Sequence, residues 1–256
     1  MLVTFALIVG CSSANDPIKW DEPRVLPPGL GSAGELVFDA DDSLRPAPAS
    51  AVTPPAAPAQ CRESVRVARD ERTGQSYAVW WALRGDSTAD LVVAYSPNGR
   101  QWNAAVRVDT LDAGRVACRR PPPAVVADGD NVYVAYAMAA REGPGIFASH
   151  SMDRGVMFHS PVAVVYGANI GRSAIAAKGN VVAVAYEDPN SNPQRVALAF
   201  SRTMGHPFES RAIVSPPTGA AGDPRVALGV RRIAVVWTQG DSASGGARLM
   251  RVGAVQ

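Results

Sequence analysis

Arginines recur at equivalent places in this sequence, just before or at the start of segments rich in valine and alanine. They are Arg62, Arg119, Arg120, Arg172 and Arg225. A guanidinium group binds a carboxylate, sulfate or phosphate through paired hydrogen bonds, so arginines that converge would form an anion site. Acidic residues follow the next strand-like segments: Asp86, Glu142, Glu187, Asp188 and Asp241.

Two interpretations of this pattern stay open. The first is a ligand site, and the residues predicted for it are Arg62, Arg120, Arg172, Arg225, Glu187 and Asp188. In the second, each arginine pairs with a nearby acidic residue and stabilises the fold, and the acids close enough to do so are Glu63, Asp223 and Glu187. The ligand interpretation requires the arginines to converge, and convergence of like charges costs free energy unless an anion or a carboxylate offsets it.

Other chemistries find little support in the sequence. His150, His159 and His206 are scattered and lack the spacing of a zinc site, so no metal is predicted. Neither a glycine-rich nucleotide loop, a nucleophile elbow nor an EF-hand is present, so no cofactor is expected. A net charge of +2 and 7% aromatic residues argue against nucleic acid as a partner.

Four segments rich in valine, alanine and aromatic residues predict buried β-strands: 76–83, 131–139, 180–188 and 232–239. Their landmark residues Trp81, Tyr136, Tyr186 and Trp237 are separated by 55, 50 and 51 residues. A fixed period of this size predicts a repeat architecture. Tyr136 and Tyr186 share the buried register, so we expect them to pack in the core.

A turn motif recurs with the same period. SMDRGVMF (151–158) is matched by SRTMGHPF (201–208) and by the shorter SPNGRQW (96–102). A short polar side chain can accept hydrogen bonds within its own turn, the glycine permits a positive φ, and the aromatic residue can pack between sheets. The motif resembles the Asp-box, Ser-x-Asp-x-Gly-x-x-Trp/Phe, the BNR repeat of sialidase-like β-propellers. Asn98 and Thr203 replace its aspartate, and the resemblance implies a structural role for the turn.

The sequence therefore predicts an all-β propeller with about four recognisable four-stranded blades. The second blade would use 122–128, 131–139, 146–151 and 161–166. The last repeat lacks an outer strand, which we expect KWDEPRVL (19–26) to supply, closing the ring. Residues 27–41 resemble 215–228 and suggest a degenerate fifth blade, whereas the Pro/Ala-rich stretch 45–59 predicts an exposed linker. The predicted domains are 1–11 (signal), 12–60 (tether, closing strand and linker) and 61–256 (propeller).

The first residues, MLVTFALIVGC, contain an apolar run of the length found in export signals, too short to span a bilayer. The run ends in Ile8-Val9-Gly10-Cys11, which resembles the lipobox of bacterial lipoproteins. The resemblance implies that Cys11 is lipidated and that the protein is anchored in the cell envelope, with Ser12 favouring the outer membrane. No positive charge precedes the run, so either residues precede Met1 or the resemblance is accidental; a buried N-terminal strand is the alternative.

The remaining two cysteines form an even pair. If Cys11 carries lipid, Cys61 and Cys118 remain in an exported, oxidising compartment, which favours a disulfide. Such a bond would close a loop of 57 residues.

Two functions from different classes remain. The first is an exported, lipid-anchored propeller that binds a protein or an anionic glycan. The second is a reduced sialidase-like exo-glycosidase acting on sialosides. The resemblance to sialidases implies an arginine triad for the sialate carboxylate, a tyrosine nucleophile with a glutamate, and an aspartate acid/base. Such a catalytic trio cannot be aligned and the Arg-Ile-Pro motif is absent, so the catalytic residues stay unassigned and binding is preferred.

Overall fold

Five antiparallel sheets surround a central channel in the computed structural model, which describes residues 16–30, 35–48, 52–57, 59–70, 72–84, 88–112, 117–240 and 246–256. Cys11, Asp86 and Asp241 lie outside these residues. Four sheets have four strands or more and the fifth is a hairpin, which confirms the predicted all-β propeller.

The strands are numbered in chain order. They are β1 (Ile18–Trp20), β2 (Arg24–Val25), β3 (Leu36–Phe38), β4 (Leu44–Pro46), β5 (Arg66–Arg69), β6 (Ser76–Leu83), β7 (Ala89–Ser96), β8 (Val106–Arg107), β9 (Ala124–Asp128), β10 (Asn131–Ala140), β11 (Gly143–Ser151), β12 (Val162–Tyr166), β13 (Ser173–Lys178), β14 (Val181–Glu187), β15 (Val196–Ser201), β16 (Ser210–Ile213), β17 (Ala221–Leu228), β18 (Arg232–Gln239) and β19 (Ala247–Val255). Short 3₁₀ helices span Pro28–Leu30, Arg62–Ser64 and Ala117–Arg119.

Blades 1, 2 and 3 are β5–β8, β9–β12 and β13–β16, each with its first strand at the channel. Blade 4 is β17–β19, and the N-terminal strand β1 pairs antiparallel with β19, Ile18 opposite Val255. Strand β2 continues this edge opposite Leu249 and Met250. The predicted closing strand is thus confirmed.

The predicted remnant of a fifth blade is the hairpin β3–β4. It packs on blade 4 through Leu36 and Phe38, and Phe38 also lines the channel. Because this hairpin and the closing strands precede residue 61, the propeller does not begin there. The stretch 45–59 is not wholly an exposed linker: Thr53 O accepts a hydrogen bond from Trp102 Nε1 at 3.0 Å, and Ala57 covers the Trp80 side of blade 1.

Apolar side chains from β-strands fill the spaces between blades. Trp81 of blade 1 meets Tyr136 of blade 2 edge to face, with ring centroids 6.2 Å apart. Tyr186 belongs to the equivalent cluster between blades 2 and 3, and Trp237 to the one between blades 3 and 4. The prediction that Tyr136 and Tyr186 are core residues is correct.

Antiparallel connectivity gives the propeller two distinct faces. The loop face holds the inter-blade loops and the loops between second and third strands, where the channel-lining strands begin. The turn face holds the hairpins between first and second strands and the three recurring turns. On the turn face the blades are tied together by aspartates: Asp70 accepts from Gly129 N–H, and Asp128 accepts from Gly179 N–H at 2.7 Å.

The turn at 151–158 is stabilised by its own side chains. Ser151 Oγ donates to Asp153 at 2.6 Å and accepts from Gly155 N–H at 2.8 Å, and Gly155 has φ +81°. Asp153 also accepts from Val156 N–H. The hydrogen bond from Ser151, together with those from backbone N–H groups, holds the pKa of the Asp153 carboxyl below its usual range. Phe158 packs against the cluster between blades 1 and 2.

Cys61 and Cys118, the predicted pair, are joined by a disulfide with Cα atoms 5.3 Å apart. Each lies at the approach to a blade on the loop face: Cys61 precedes the 3₁₀ helix before β5, and Cys118 lies in the one before β9. The bond therefore fixes the chain between the starts of blades 1 and 2.

Candidate functional site

The loop-face mouth of the channel is organised around one carboxylate, that of Asp223. Its Oδ1 accepts from Arg172 at 3.0 Å and from Arg225 at 2.9 Å, and its Oδ2 accepts from Arg248 at 2.7 Å. Arg172 comes from blade 3 and the other two from blade 4. One carboxylate therefore collects guanidinium groups from two blades.

A β-bulge places Asp223 in this position. The pairing of β17 with β18 shifts between Gly222 and Arg225, so Asp223 and Pro224 lie outside the regular ladder. Asp223 has φ +52°, a conformation that Asp and Asn adopt more readily than most residues. The bulge re-aims a side chain next to the channel, a common use of such irregularities.

Glu187, at the end of β14, fixes the bulge. Its Oε1 accepts from Asp223 N–H at 2.8 Å and its Oε2 accepts from Arg172 N–H at 2.8 Å. A Cβ atom at Gly222 would lie 2.8 Å from Oε1, and one at Gly171 would also collide with this carboxylate. Glycine at both positions lets the carboxylate lie against the backbones of blades 3 and 4.

Arg66 and Glu35 complete the mouth from blade 1 and the hairpin side. Arg66 donates to the backbone carbonyls of Glu63 and Val65, and no carboxylate oxygen of the described chain lies within 4.0 Å of its guanidinium. Burial in the mouth and repulsion by Arg225 and Arg172 lower its pKa. Arg66 is thus the least compensated cation of the cluster.

Two acidic groups of the mouth, Glu35 and Asp223, have pKa values shifted in opposite directions. Glu35 lines the channel, and desolvation there raises the pKa of its carboxyl in spite of Arg225 and Arg66. For Asp223, burial acts to raise the pKa, but Arg225, Arg248 and Arg172 outweigh it, so the pKa is lowered. Asp223 is therefore held ionised, whereas Glu35 retains its proton to higher pH.

The structure brings together only part of the predicted site. Arg172, Arg225 and Glu187 converge at the mouth, although Arg172 and Arg225 are already paired with Asp223. Asp188 does not join them, because its carboxylate accepts from Asn190 N–H within the loop after β14.

Arg62 and Arg120 are also misplaced by the sequence prediction. Arg62 is exposed in a 3₁₀ helix outside the channel wall, as is Arg119 in the next one. Arg120 is 6% exposed, pairs with Asp112 and lies 4.6 Å above the Trp81 ring, so it belongs to the packing between blades 1 and 2. The arginine of blade 1 that does reach the mouth is Arg66.

Local backbone features explain why the mouth differs from the set of residues that the sequence predicts. Arg66 is the first residue of β5, a position similar to that of Arg172 just before β13. The 3₁₀ turn at 62–64 places the start of β5 later in the chain than the sequence predicts. Asp223 is directed into the mouth by a bulge that alternation does not reveal. Arg248 is the second residue of β19, and Glu35 immediately precedes β3 of the degenerate hairpin; both lie outside the strand starts at which the sequence placed the arginines.

The channel behind this mouth has a volume of about 580 Å³. Its wall consists of the first strands of the four blades and of β3, and combines charged ends with aliphatic residues such as Val67, Val125 and Val226. None of the described residues lining it is a tyrosine. Among the described residues, the mouth thus offers arginines and carboxylates but no tyrosine.

The three histidines are not scattered, contrary to the sequence prediction. His150, His159 and His206 lie together on the turn face, brought there by the packing of blade 2 on blade 3. Their sequence spacing gave no sign of this arrangement, because the contact depends on two turns from different blades.

In the described part of the chain, no helix combines the length and apolarity needed to cross a membrane.

Comparisons with known proteins show solved structures with a similar fold, but they identify no family for this chain. Neither a protein-family model nor a curated protein matches this chain. A solved protein of unknown function from Dyadobacter fermentans is similar over 75% of this chain, with a TM-score of 0.52 and 15% identity; this chain covers 52% of its length. An exo-1,5-α-L-arabinanase from a bovine ruminal metagenomic library has a TM-score of 0.46 at 12% identity, covering 84% of this chain and 83% of its own. The endosialidase of phage phi92 has a TM-score of 0.47 at 11% identity, with 74% and 35% covered.

Proposed function

We propose that this protein binds a carboxylated glycan at the loop-face mouth of its channel, without acting on it chemically. The observation that carries the proposal is Arg66: it lines the channel with Arg172 and Arg225, whose charges repel it, and no carboxylate of the described chain lies within 4.0 Å of its guanidinium, so that Asp223 and Glu35 attract it only from a greater distance. A carboxylate of a ligand would offset this repulsion and accept the paired hydrogen bonds that guanidinium offers.

The partly exposed arginines supply the remaining polar contacts. The side chain of Arg172 is 62% exposed although it pairs with Asp223, so it keeps donors that face the channel opening. Asp223 holds these guanidinium groups in place before a ligand arrives, and Glu187 fixes the backbone of Asp223 and of Arg172. Preorganised donors lose little conformational entropy on binding.

The size of the recess favours a saccharide over a folded protein. Small-molecule sites commonly have volumes of roughly 300–1,000 Å³ and combine apolar walls with a few polar groups. A channel of about 580 Å³ with aliphatic walls and a charged mouth meets this description. The ligand class is therefore a uronate- or sialate-bearing oligosaccharide, with the carboxylate at Arg66.

A glycan array with the soluble protein, followed by calorimetry on the best carboxylated ligand, tests this proposal. Arg66→Gln should weaken binding at least tenfold, and reduction of the ligand carboxylate to the alcohol should weaken it similarly. Arg62→Gln is the matched control, because it removes one charge from the same face outside the channel wall. Equal effects of the two substitutions, or no preference for carboxylated glycans, would overturn the proposal.

A second candidate function, hydrolysis of a glycoside, is favoured by one observation. Glu35 has a raised pKa and shares the mouth with Asp223, whose pKa is lowered. Two carboxyl groups with opposite shifts are the arrangement that glycosidases use for acid/base work. The sialidase-like version lacks support, since no described residue of the channel wall is a tyrosine.

Fluorogenic sialosides and neutral glycosides separate binding from hydrolysis. The binding proposal expects no turnover by the wild-type protein and unchanged glycan affinity in Glu35→Gln. Turnover that Glu35→Gln abolishes would establish the hydrolase instead.

We further propose that the protein is exported and anchored by lipid on Cys11 in the bacterial cell envelope, in the outer membrane. The sequence Ile8-Val9-Gly10-Cys11 supports this, as does the disulfide between the other two cysteines, which suits an oxidising compartment. Labelled palmitate should enter the protein in a bacterial host that expresses it from its own genomic locus, and Cys11→Ala should prevent incorporation. Persistent labelling of that variant would exclude the anchor.

We also propose that the recurring turns are Asp-box repeats. We assign 96–102, 151–158 and 201–208 to the Asp-box repeat, supported by the hydrogen bonds of Ser151 and Asp153 and by those of Ser201 with Gly205 N–H.

A further inference from the structure

All three histidines of the chain meet on the turn face between blades 2 and 3. His150 lies near the end of β11, His159 follows the turn after that strand, and His206 lies in the turn after β15. This cluster is on the face opposite the arginine mouth, so its role does not depend on the proposed glycan site.

The ring nitrogens of the cluster are close enough to share one ion. His150 Nε2 and His206 Nε2 are 3.2 Å apart, and one nitrogen from each histidine lies within 4.8 Å of the others. Two nitrogen ligands of a tetrahedral zinc ion, each about 2.0–2.1 Å from the metal, are about 3.4 Å apart. The first pair is therefore already at a ligand separation.

The backbone around the cluster is held by hydrogen bonds. His159 N–H donates to His150 O at 2.9 Å, and Ser149 Oγ donates to His159 O at 2.6 Å. On blade 3, Thr203 Oγ1 donates to His206 O at 2.8 Å. Both turns thus present their imidazoles from fixed main-chain positions, which lowers the entropy cost of assembling a ligand set.

We propose that His150, His159 and His206 bind a divalent transition-metal ion, Zn²⁺ foremost, with a fourth coordination position left for water or an external ligand. Imidazole is a preferred ligand for zinc and copper, and three histidines with an open position form a known type of zinc site. An ion bound here would join blades 2 and 3 at the turn face.

Binding requires the imidazole of His159 to reorient. His159 stacks on His150, with planes 4° apart and centroids separated by 4.3 Å, so its ring must rotate for its lone pair to reach a common ion. His159 and His206 are exposed and free to adjust, whereas His150 is buried and supplies the fixed ligand. In the metal-free contact one Nε2 donates to the other; a shift of that hydrogen to Nδ1 frees both lone pairs. Burial and the two neighbouring imidazoles lower the pKa of His150 to about 4, so its ring is neutral at neutral pH.

Calorimetry with ZnCl₂ alone tests the proposal, on chelator-treated protein without a polyhistidine tag at pH 7.5. We expect one ion per chain with a dissociation constant in the micromolar range or below, and a higher melting temperature with zinc. Co²⁺ bound in place of zinc should give the intense visible absorption of a four-coordinate site.

The exposed ligands provide variants that keep the core intact. His159→Ala and His206→Ala should each weaken zinc binding at least tenfold and abolish the thermal shift, while their metal-free melting temperatures stay near that of the wild type. Asp130→Asn, which alters an exposed carboxylate on the same face, should leave zinc affinity unchanged. Absence of zinc binding to the wild-type protein, or wild-type zinc affinity in both histidine variants, would overturn the proposal.

Discussion

Glu187 of blade 3 accepts a hydrogen bond from the backbone of Asp223 in blade 4, with N and Oε1 2.8 Å apart. The other oxygen of the same carboxylate accepts from the backbone of Arg172. The Glu187 side chain thus fixes the backbone of Asp223, whose carboxylate pairs with three arginines. It also fixes the backbone of Arg172, which is one of those three. The geometry of the mouth depends on this contact between two blades.

Removing the Glu187 carboxylate should therefore loosen both blades at once. Glu187→Ala leaves two backbone N–H groups without their charged acceptor, and we expect the free energy of unfolding to fall by about 2 kcal/mol. Asp188→Asn, at the next position, should change it by less than about 0.5 kcal/mol because its contacts stay within one exposed loop. Urea denaturation of the three proteins measures the difference, and equal stability of the two variants would contradict this role.

Asp223→Asn removes the negative charge that pairs with the three arginines. The backbone is left undisturbed, because asparagine also tolerates the positive φ at this position. At pH 7 the variant leaves Arg172, Arg225 and Arg248 without their common counter-charge, and we expect a loss of about 2 kcal/mol.

The pH dependence of that loss has a defined sign. Because the folded-state pKa of Asp223 is lowered, its contribution is present above the ordinary carboxyl pKa of 3.8 and is lost as pH falls through the folded pKa. The stability gap between wild type and Asp223→Asn should therefore be constant near neutrality and close in acid. Denaturation midpoints across this range measure it, and a gap that stays constant to pH 2 would contradict the ion-pair explanation.

The sequence predicted the repeat, the second-blade strands and the closing strand because each depends on local periodicity. The predicted segment 131–139 differs from β10 by one residue at its end. The arginine mouth was predicted only in part, since convergence requires both a residue at the strand start and the right side of the strand. Arg120 meets neither condition, because β9 begins only at Ala124 and the Arg120 side chain is buried against Trp81 instead of facing the channel.

Two arrangements could not be predicted from the sequence, because they depend on strand pairing and on contacts between blades. A bulge directs Asp223 into the mouth, and two turns 47 residues apart in sequence, at His159 and His206, converge on His150. Neither arrangement alters the period of apolar residues. Such contacts appear only once the ring is assembled.

The disulfide should contribute measurably to stability. Cys61 and Cys118 are 57 residues apart, and closing a loop of that length restricts the unfolded chain, with a contribution of about 3–4 kcal/mol. The double variant Cys61→Ser/Cys118→Ser should melt at a lower temperature, and a reductant should lower the wild-type melting temperature toward that of the variant. A wild-type protein unaffected by complete reduction would contradict this contribution.

Ring closure by the N-terminal strand can be tested with two adjacent substitutions. Ile18 is 4% exposed and packs in the cluster between blades 3 and 4, whereas Lys19, the next residue of β1, is exposed. Ile18→Asn removes apolar burial and introduces a polar group there, so we expect a loss of about 3 kcal/mol or more. Lys19→Asn should cost less than about 1 kcal/mol, because only the exposed side chain changes.

A detached β1 would leave the Gly253–Val255 edge of β19 unpaired. Open strand edges pair with other chains, so Ile18→Asn should also form soluble aggregates on moderate warming while Lys19→Asn stays monomeric. Urea denaturation gives the stability of each variant, and light scattering during a thermal ramp gives its association. If Ile18→Asn unfolds with the wild-type midpoint and remains monomeric, the closing strand does not stabilise the ring, and the blade 4 edge must be protected by another part of the chain.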